Sequence, residues 1–222
     1  MPTSDALPRR PRGRPALHGH TYADTRDLLI RRGMELLTEQ GIAATSIERV
    51  LQSTGIPKGS FYHYFATKHD FTLAVMDAYH HYFCRKLTRY LEDESLPPLA
   101  RLVAFVDSAC RGMTRYAFQR GCLVGNLGQE VVQLSPELRL RLEQILLDWE
   151  ALLARCLRDA VTAGELPPEC DCPRPSVLDR LGRGRTARTP GGRYRAHALF
   201  SPLFHDLGQI DFLRRLIVSQ SN

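Results

Sequence analysis

Apolar residues recur along the first half of the chain with the spacing of helices. Leu29, Gly33, Leu36 and Leu37 stand at i, i+4, i+7 and i+8, one face of a helix over about Tyr22–Gln40, and Gly41 is its stop. Thr45 and Glu48 have the spacing of a capping box, with Ile47, Val50 and Leu51 as the inner face of a short helix ending at Gly55. Pro57, with its preset φ, is expected at the first position of the next helix. Two short helices joined by a tight glycine turn make a helix-turn-helix. Thr67 and Asp70 then cap a long helix through Leu73, Met76, Ala78, Tyr79, Phe83, Leu87 and Tyr90, ended before Pro97-Pro98.

The pattern continues helical beyond the prolines. Leu99, Leu102, Val103, Val106 and Cys110 form a stripe over 98–118, and GCLVGNLGQEVVQL reads as a short helix or turn. Ser135-Pro136 opens a long amphipathic helix carrying Leu138, Leu142, Ile145, Trp149, Leu152, Leu153, Cys156 and Val161, stopped at Gly164. With no strand pattern and no repeat, the expected fold class is all-α. The expected organisation is a basic arm (1–20), a three-helix unit built on the helix-turn-helix (21–68), a larger helical region (69–172), and an atypical C-terminal segment (173–222).

The stretch IPKGSFYHYFATKHD crowds Phe61, Tyr62, Tyr64 and Phe65 with His63 into five positions. On so short a helix they cannot all point inward. Phe61 and Phe65, four apart, are expected to pack on the preceding helices. Tyr62, His63 and Tyr64 then turn toward bases or phosphates, behind the small N-terminal residues Lys58, Gly59 and Ser60 that let a backbone approach a duplex. A cation at Lys68, in the first turn of the long helix, opposes the helix dipole, a conflict that a DNA phosphate would remove.

Charge refines this picture. The net charge is +6, but residues 1–20 carry four Arg against one Asp, residues 173–222 nine Arg against three Asp, and residues 21–172 are slightly acidic. Within the arm, RRPRGRP places Arg12 and Arg14 in an extended, proline-flanked segment that resembles a minor-groove AT-hook. No apolar run reaches the length of a membrane span and the N-terminus has no signal-peptide core, so a cytoplasmic protein without membrane contact is expected. Six dispersed cysteines suggest reduced thiols.

Residues 24–71, with LLTEQGIAATSI followed by TGIPKGSFYHYFATKHDF, resemble the TetR/AcrR family of transcriptional regulators. The resemblance implies a three-helix DNA-binding domain (21–68) and a larger helical effector-binding and dimerisation domain (69–172) that pairs into a homodimer. It also implies a palindromic double-stranded operator from which a small-molecule effector releases the protein. Carried over position by position, it assigns DNA contacts to Ser46, Lys58, Ser60, Tyr62, Tyr64 and Lys68, with Gly59 permitting close approach. The block RGCLVGNLGQE (120–130) is similar to a branch responding to acrylate and thiol-reactive electrophiles, and by that resemblance Cys122 lies at the cavity edge. Asn126 of the same block and Trp149 are the further effector-site candidates.

Other chemistry is thin. His80 and Cys84 have metal-ligand spacing but are two ligands where three or four are usual, and CDC at 170–172 is equally weak. GNLG lacks the setting of a phosphate loop. No nucleophile elbow, metalloprotease helix or carboxylate pair points to an enzyme, and no cofactor is expected. A protein-interaction module built on the basic tail is a third class, separated from DNA binding by salt dependence. Residues 173–195 hold seven Arg, four Gly, three Pro and no Lys, a composition that resists helix formation where the family has apolar dimer helices. Translation out of the ancestral frame of a GC-rich gene would yield such a segment. A basic linker before a last helix, HALFSPLFHDLGQIDFLRRLIVSQ, is the alternative.

Overall fold

The computed structural model describes residues 22–117, 119–130 and 134–167. Arg12, Arg14 and the expectations for residues 173–222 lie outside them. The described residues form helices α1 (Tyr22–Gln40), α2 (Ile47–Thr54), α3 (Lys58–Tyr64), α4 (Lys68–Leu91), α5 (Pro98–Arg115), α6 (Leu123–Gln129) and α7 (Pro136–Thr162), with no strand among them.

The helix ends are set by local chemistry. Gly41, Gly55 and Gly164 follow α1, α2 and α7 with φ of 80°, 69° and 73°, the left-handed region that a Cβ disfavours. Thr67 and Asp70 form the expected capping box at α4, and Ser135 accepts from the Leu138 N–H at α7. At α2 the cap is displaced by one residue. Ser46 Oγ accepts from Arg49 N at 3.2 Å, while the buried Thr45 hydroxyl donates to Gly41 O at 2.7 Å and so ties off the end of α1. Both residues have capping chemistry, and the fold assigns the cap to the one that faces outward. Pro57 likewise precedes α3 as its N-cap, with the helix beginning at Lys58.

Two packing features position the helix-turn-helix. Phe61 is fully buried and its ring lies 5.4 Å from Phe65 and 5.3 Å from Phe71, with Phe65 5.1 Å from Phe71, a three-ring floor beneath α3. Burying each such ring contributes about 1.5–3 kcal/mol. Gly33 lets α4 press against α1, since a Cβ there would lie 2.5 Å from Phe71 Cζ and 2.8 Å from Val75 Cγ2. The expected division at 68/69 thus falls at the start of α4, whose Phe71 and Val75 pack on α3 and α1. Farther along, α4 packs on α5 and α7, and Trp149 of α7 meets Phe83 of α4 with ring centroids 4.0 Å apart. No helix among the described residues is long and apolar enough to cross a membrane.

Candidate nucleic-acid interface and effector cavity

On α3 the aromatic floor turns the remaining side chains outward. Lys58, Gly59, Tyr62 and His63 are exposed, Tyr62 at 47%, and Ser60 is half-buried. Open space surrounds the position that a Cβ would take at Gly59. Lys58 Nζ stands 3.3 Å from Glu48 Oε1, an exposed pair whose small worth leaves the ammonium available to a stronger anion. Tyr64 departs from the expected outer face. It is half-buried against the core, its ring 6.5 Å from Phe65, because the helix ends there and the chain turns inward to bury Phe65. Ser46 is exposed, with its hydroxyl engaged as the α2 cap.

Lys68 resolves its conflict with the α4 dipole inside the protein. Its Nζ donates to Ile42 O at 3.2 Å, so the compensation expected from a phosphate is already supplied by a carbonyl of the α1–α2 loop. The other side of that loop is held by α6. Glu130 Oε2 accepts from Ile42 N (3.1 Å) and Ala43 N (2.9 Å), and Asn126 Nδ2 donates to Thr38 O (2.8 Å) and Leu37 O (3.4 Å) at the C-terminal end of α1. Arg120 adds ion pairs to Glu39 (2.9 Å) and Glu35 (3.6 Å) and stacks 4.5 Å over Tyr116. Asn126, expected at the effector site, is instead a buried latch between α6 and α1. Glu130 carried no local signal beyond closing the 120–130 block, because its partners are nearly ninety residues away in sequence.

A cavity of about 380 Å³ lies behind this latch, lined by Arg31, Met34 and Thr38 of α1, Tyr79, Tyr82, Phe83 and Lys86 of α4, Ala109 and Met113 of α5, and the Gly121–Cys122 segment. Cys122 is on its wall, within hydrogen-bonding reach of the Tyr79 hydroxyl. Burial pushes the Cys122 thiol above the ordinary range, outweighing the backbone N–H groups of Gly125 and Val124 and the Tyr79 hydroxyl, which pull it down. Arg120, two residues from Cys122 in sequence, is committed to Glu35, Glu39 and Tyr116. A thiolate-based sensor needs the opposite shift. In the sequence Tyr79 reads only as one position of the apolar stripe of α4 and Lys86 carries no signal, since nothing on a long helix marks either as cavity-lining.

Trp149 does not line this cavity. It is fully buried, and its Nε1–H donates to His80 Nδ1 at 3.1 Å. An indole nitrogen only donates, so Nδ1 is the acceptor and the ring proton of neutral His80 sits on Nε2, 3.2 Å from Asp148 Oδ2. Burial lowers the His80 pKa first, with Arg141 and His81 lowering it further and Asp148 and Asp77 raising it. Cys84 Sγ lies 3.5 Å from His80 Nδ1. Among the described residues no three His, Cys, Asp or Glu side chains converge as metal ligands.

A helix-turn-helix whose second helix stands on an aromatic floor, joined through α4 to a helical unit with an open cavity, defines a DNA-binding regulator. Residues 29–75 match the family described as bacterial regulatory proteins, tetR family, and residues 98–176 match the tetracyclin repressor-like C-terminal domain. The chain is 44% identical over 176 residues to the transcriptional regulator AcuR of Cereibacter sphaeroides, covering 77% of this chain and 80% of that protein. It is 28% identical over 143 residues to the HTH-type transcriptional repressor NemR of Escherichia coli K12, covering 64% and 72%. The crystal structure of regulatory protein TetR from Rhodobacter sphaeroides superposes with a TM-score of 0.69 at 38% identity, over 86% of this chain and 96% of that one. Reduced E. coli NemR superposes with a TM-score of 0.63 at 22% identity, over 88% and 95%, a likeness of fold. The chain belongs to the TetR family and is a DNA-binding transcriptional regulator; the relatives named are themselves regulators.

Proposed function

We propose that the protein acts in the cytoplasm as a homodimeric repressor whose α3 reads a half-site of a palindromic operator, and that a small molecule entering the 380 Å³ cavity releases it. The observation that carries the reading is the pairing of an outward α3 with a latch that ties cavity to loop. Lys58, Gly59, Ser60, Tyr62 and His63 present the groove-facing surface, and Asn126 and Glu130 hold the segment that delivers α2 and α3. Tyr64 and Lys68 sit at its margin, Ser46 contributes through its exposed cap, and Arg12 and Arg14 add minor-groove contacts.

The mechanism follows from the wall shared by cavity and latch. Gly121 and Cys122 line the cavity and lead directly into α6, and Gly121 N donates to Thr38 O. A ligand that displaces this segment pulls on Asn126 and Glu130 and alters how α1 carries the helix-turn-helix. Operator affinity falls by the ligand's differential affinity for the two arrangements, typically about 1–3 kcal/mol of coupling. Dimer half-sites would lie roughly 34 Å apart.

A titration of the full chain against its own upstream DNA at several salt concentrations tests this. Two protomers per site, with a salt slope of about −0.9 per phosphate contacted, are expected. Binding that vanishes at moderate salt with no fixed stoichiometry refutes it. That second outcome would favour a regulator that has lost normal dimerisation, a reading supported by the end of the C-terminal family match at residue 176, close to where the composition turns Arg-, Gly- and Pro-rich. A family-like apolar helix in the +1 or −1 translation of the gene after about Cys172 would identify the cause as a frameshift.

A further inference from the structure

A second concavity, a groove of about 710 Å³ between α4 and α5, carries Arg85, Lys86 and Arg89 from α4 and Arg111 and Arg115 from α5, with no carboxylate in its lining. Five cations converge there, and among the described residues none of the five has an ion-pair partner. Lys86 lies 6.0 Å over the Phe105 ring and Arg89 6.0 Å over Tyr90, so the rings order two of these side chains without neutralising them. The Tyr90 hydroxyl of α4 is hydrogen-bonded to Ser108 of α5 across the groove, and that bond, with the surrounding Arg89, Lys86 and Arg111, lowers the Tyr90 pKa. Four of the five, Arg85, Arg89, Arg111 and Arg115, are exposed, so solvent screens part of their mutual repulsion, and an anion seated among them would remove the remainder.

The operator cannot be that anion. Arg85 and Arg89 stand 17 to 21 residues along α4 from Lys68, roughly 26–32 Å at about 1.5 Å per residue, away from the end of α4 that adjoins α3. Nor does the chain's own C-terminal segment offer a complement, since residues 173–222 carry nine Arg against three Asp. The volume suits a small molecule, and four guanidinium forks against one ammonium suit phosphate oxygens, which Arg engages two at a time. Tyr82, Lys86 and Gly112 line both this groove and the 380 Å³ cavity, so the two concavities are contiguous.

We propose that the α4–α5 groove binds a small ligand carrying two or more phosphate groups, whose uncharged portion reaches past Lys86 toward Tyr79 and Phe83. This deepens the effector reading and rests on it only for the uncharged portion. The phosphate site stands on the groove itself.

The probe is inorganic tripolyphosphate, titrated calorimetrically into the full chain at constant ionic strength with sulfate as the competing salt. One site per chain is expected. R89Q/R111Q should weaken it about tenfold or more, the loss of two charge-assisted contacts, while R9Q/R10Q in the basic arm leaves it unchanged. If R89Q/R111Q binds as the parent does, or if the arm variant takes the binding away, the groove is not the site. K86M/R115Q decides the matter if the first variant loses helicity. Operator titration is a separate reading: lost operator binding with intact tripolyphosphate binding refutes the repressor mechanism and spares the groove, and the converse refutes the groove alone.

Discussion

Glu130→Ala removes the acceptor that holds the α1–α2 loop to the end of α6. One carboxylate oxygen receives the N–H groups of Ile42 and Ala43, at 3.1 and 2.9 Å. Charge-assisted bonds of this kind contribute about 1.5–3 kcal/mol each where water is excluded. Ala43 is exposed, so water replaces part of the loss and a local cost of about 2 kcal/mol is the reasonable sum for the pair. Native-state hydrogen exchange read at Ile42 and Ala43 should then accelerate roughly thirtyfold, with helix α4 unaffected. Glu130→Gln can place its amide oxygen where Oε2 sits and keep both bonds without the charge, so its effect should be about half. In the operator assay, Glu130→Ala should bind DNA without ligand yet lose most of its response to ligand, because the wall that the ligand moves no longer pulls on the loop. Unchanged exchange at Ile42 and Ala43 in a folded Glu130→Ala protein would refute the latch.

Tyr62→Ala should reduce operator affinity while far-UV helicity and melting temperature stay at parent values, since the ring is nearly half exposed; unchanged affinity removes Tyr62 from the interface. Gly33→Ala should destabilise by about 1–3 kcal/mol in urea unfolding, because Phe71 and Val75 must give way to the new methyl; a neutral effect would mean that α4 shifts freely on α1. His80 is harder to protonate folded than unfolded, so the unfolded state takes up the proton first as pH falls below about 6.5. Stability should therefore be full above that value, decline as pH drops toward the lower folded pKa, and level off below it. His80→Gln should remove this slope from melting temperatures measured between pH 8 and 5. Burial raises the thiols of Cys84, Cys110, Cys122 and Cys156, the last to about 11, so N-ethylmaleimide at neutral pH should label all four much more slowly than in urea; rapid native labelling of Cys122 by peptide mapping would restore the sensor reading.

What the sequence determined by itself was whatever short-range chemistry specifies. Helical period placed the buried faces of α1, α4 and α7, and capping residues placed the starts of α4 and α7 to the residue. A glycine at the end of α1 and another after α2 fixed the turns, because each signal is complete within a few positions. The cap of α2 shows the margin of that logic: Thr45 and Ser46 are both competent, and only burial of Thr45 against Gly41 chose Ser46. The candidate site was legible where it lies on one helix, as with Lys58 to His63, and not where it depends on partners far along the chain. Lys68 meets Ile42, Asn126 meets Thr38, Glu130 meets Ala43, and Trp149 meets His80, all across separations that no local pattern records. Those pairings arise when helices dock and each buried polar group must find a donor or acceptor, so the tertiary structure alone decided that Asn126 is a latch, Trp149 a core residue, and five cations of α4 and α5 a single groove.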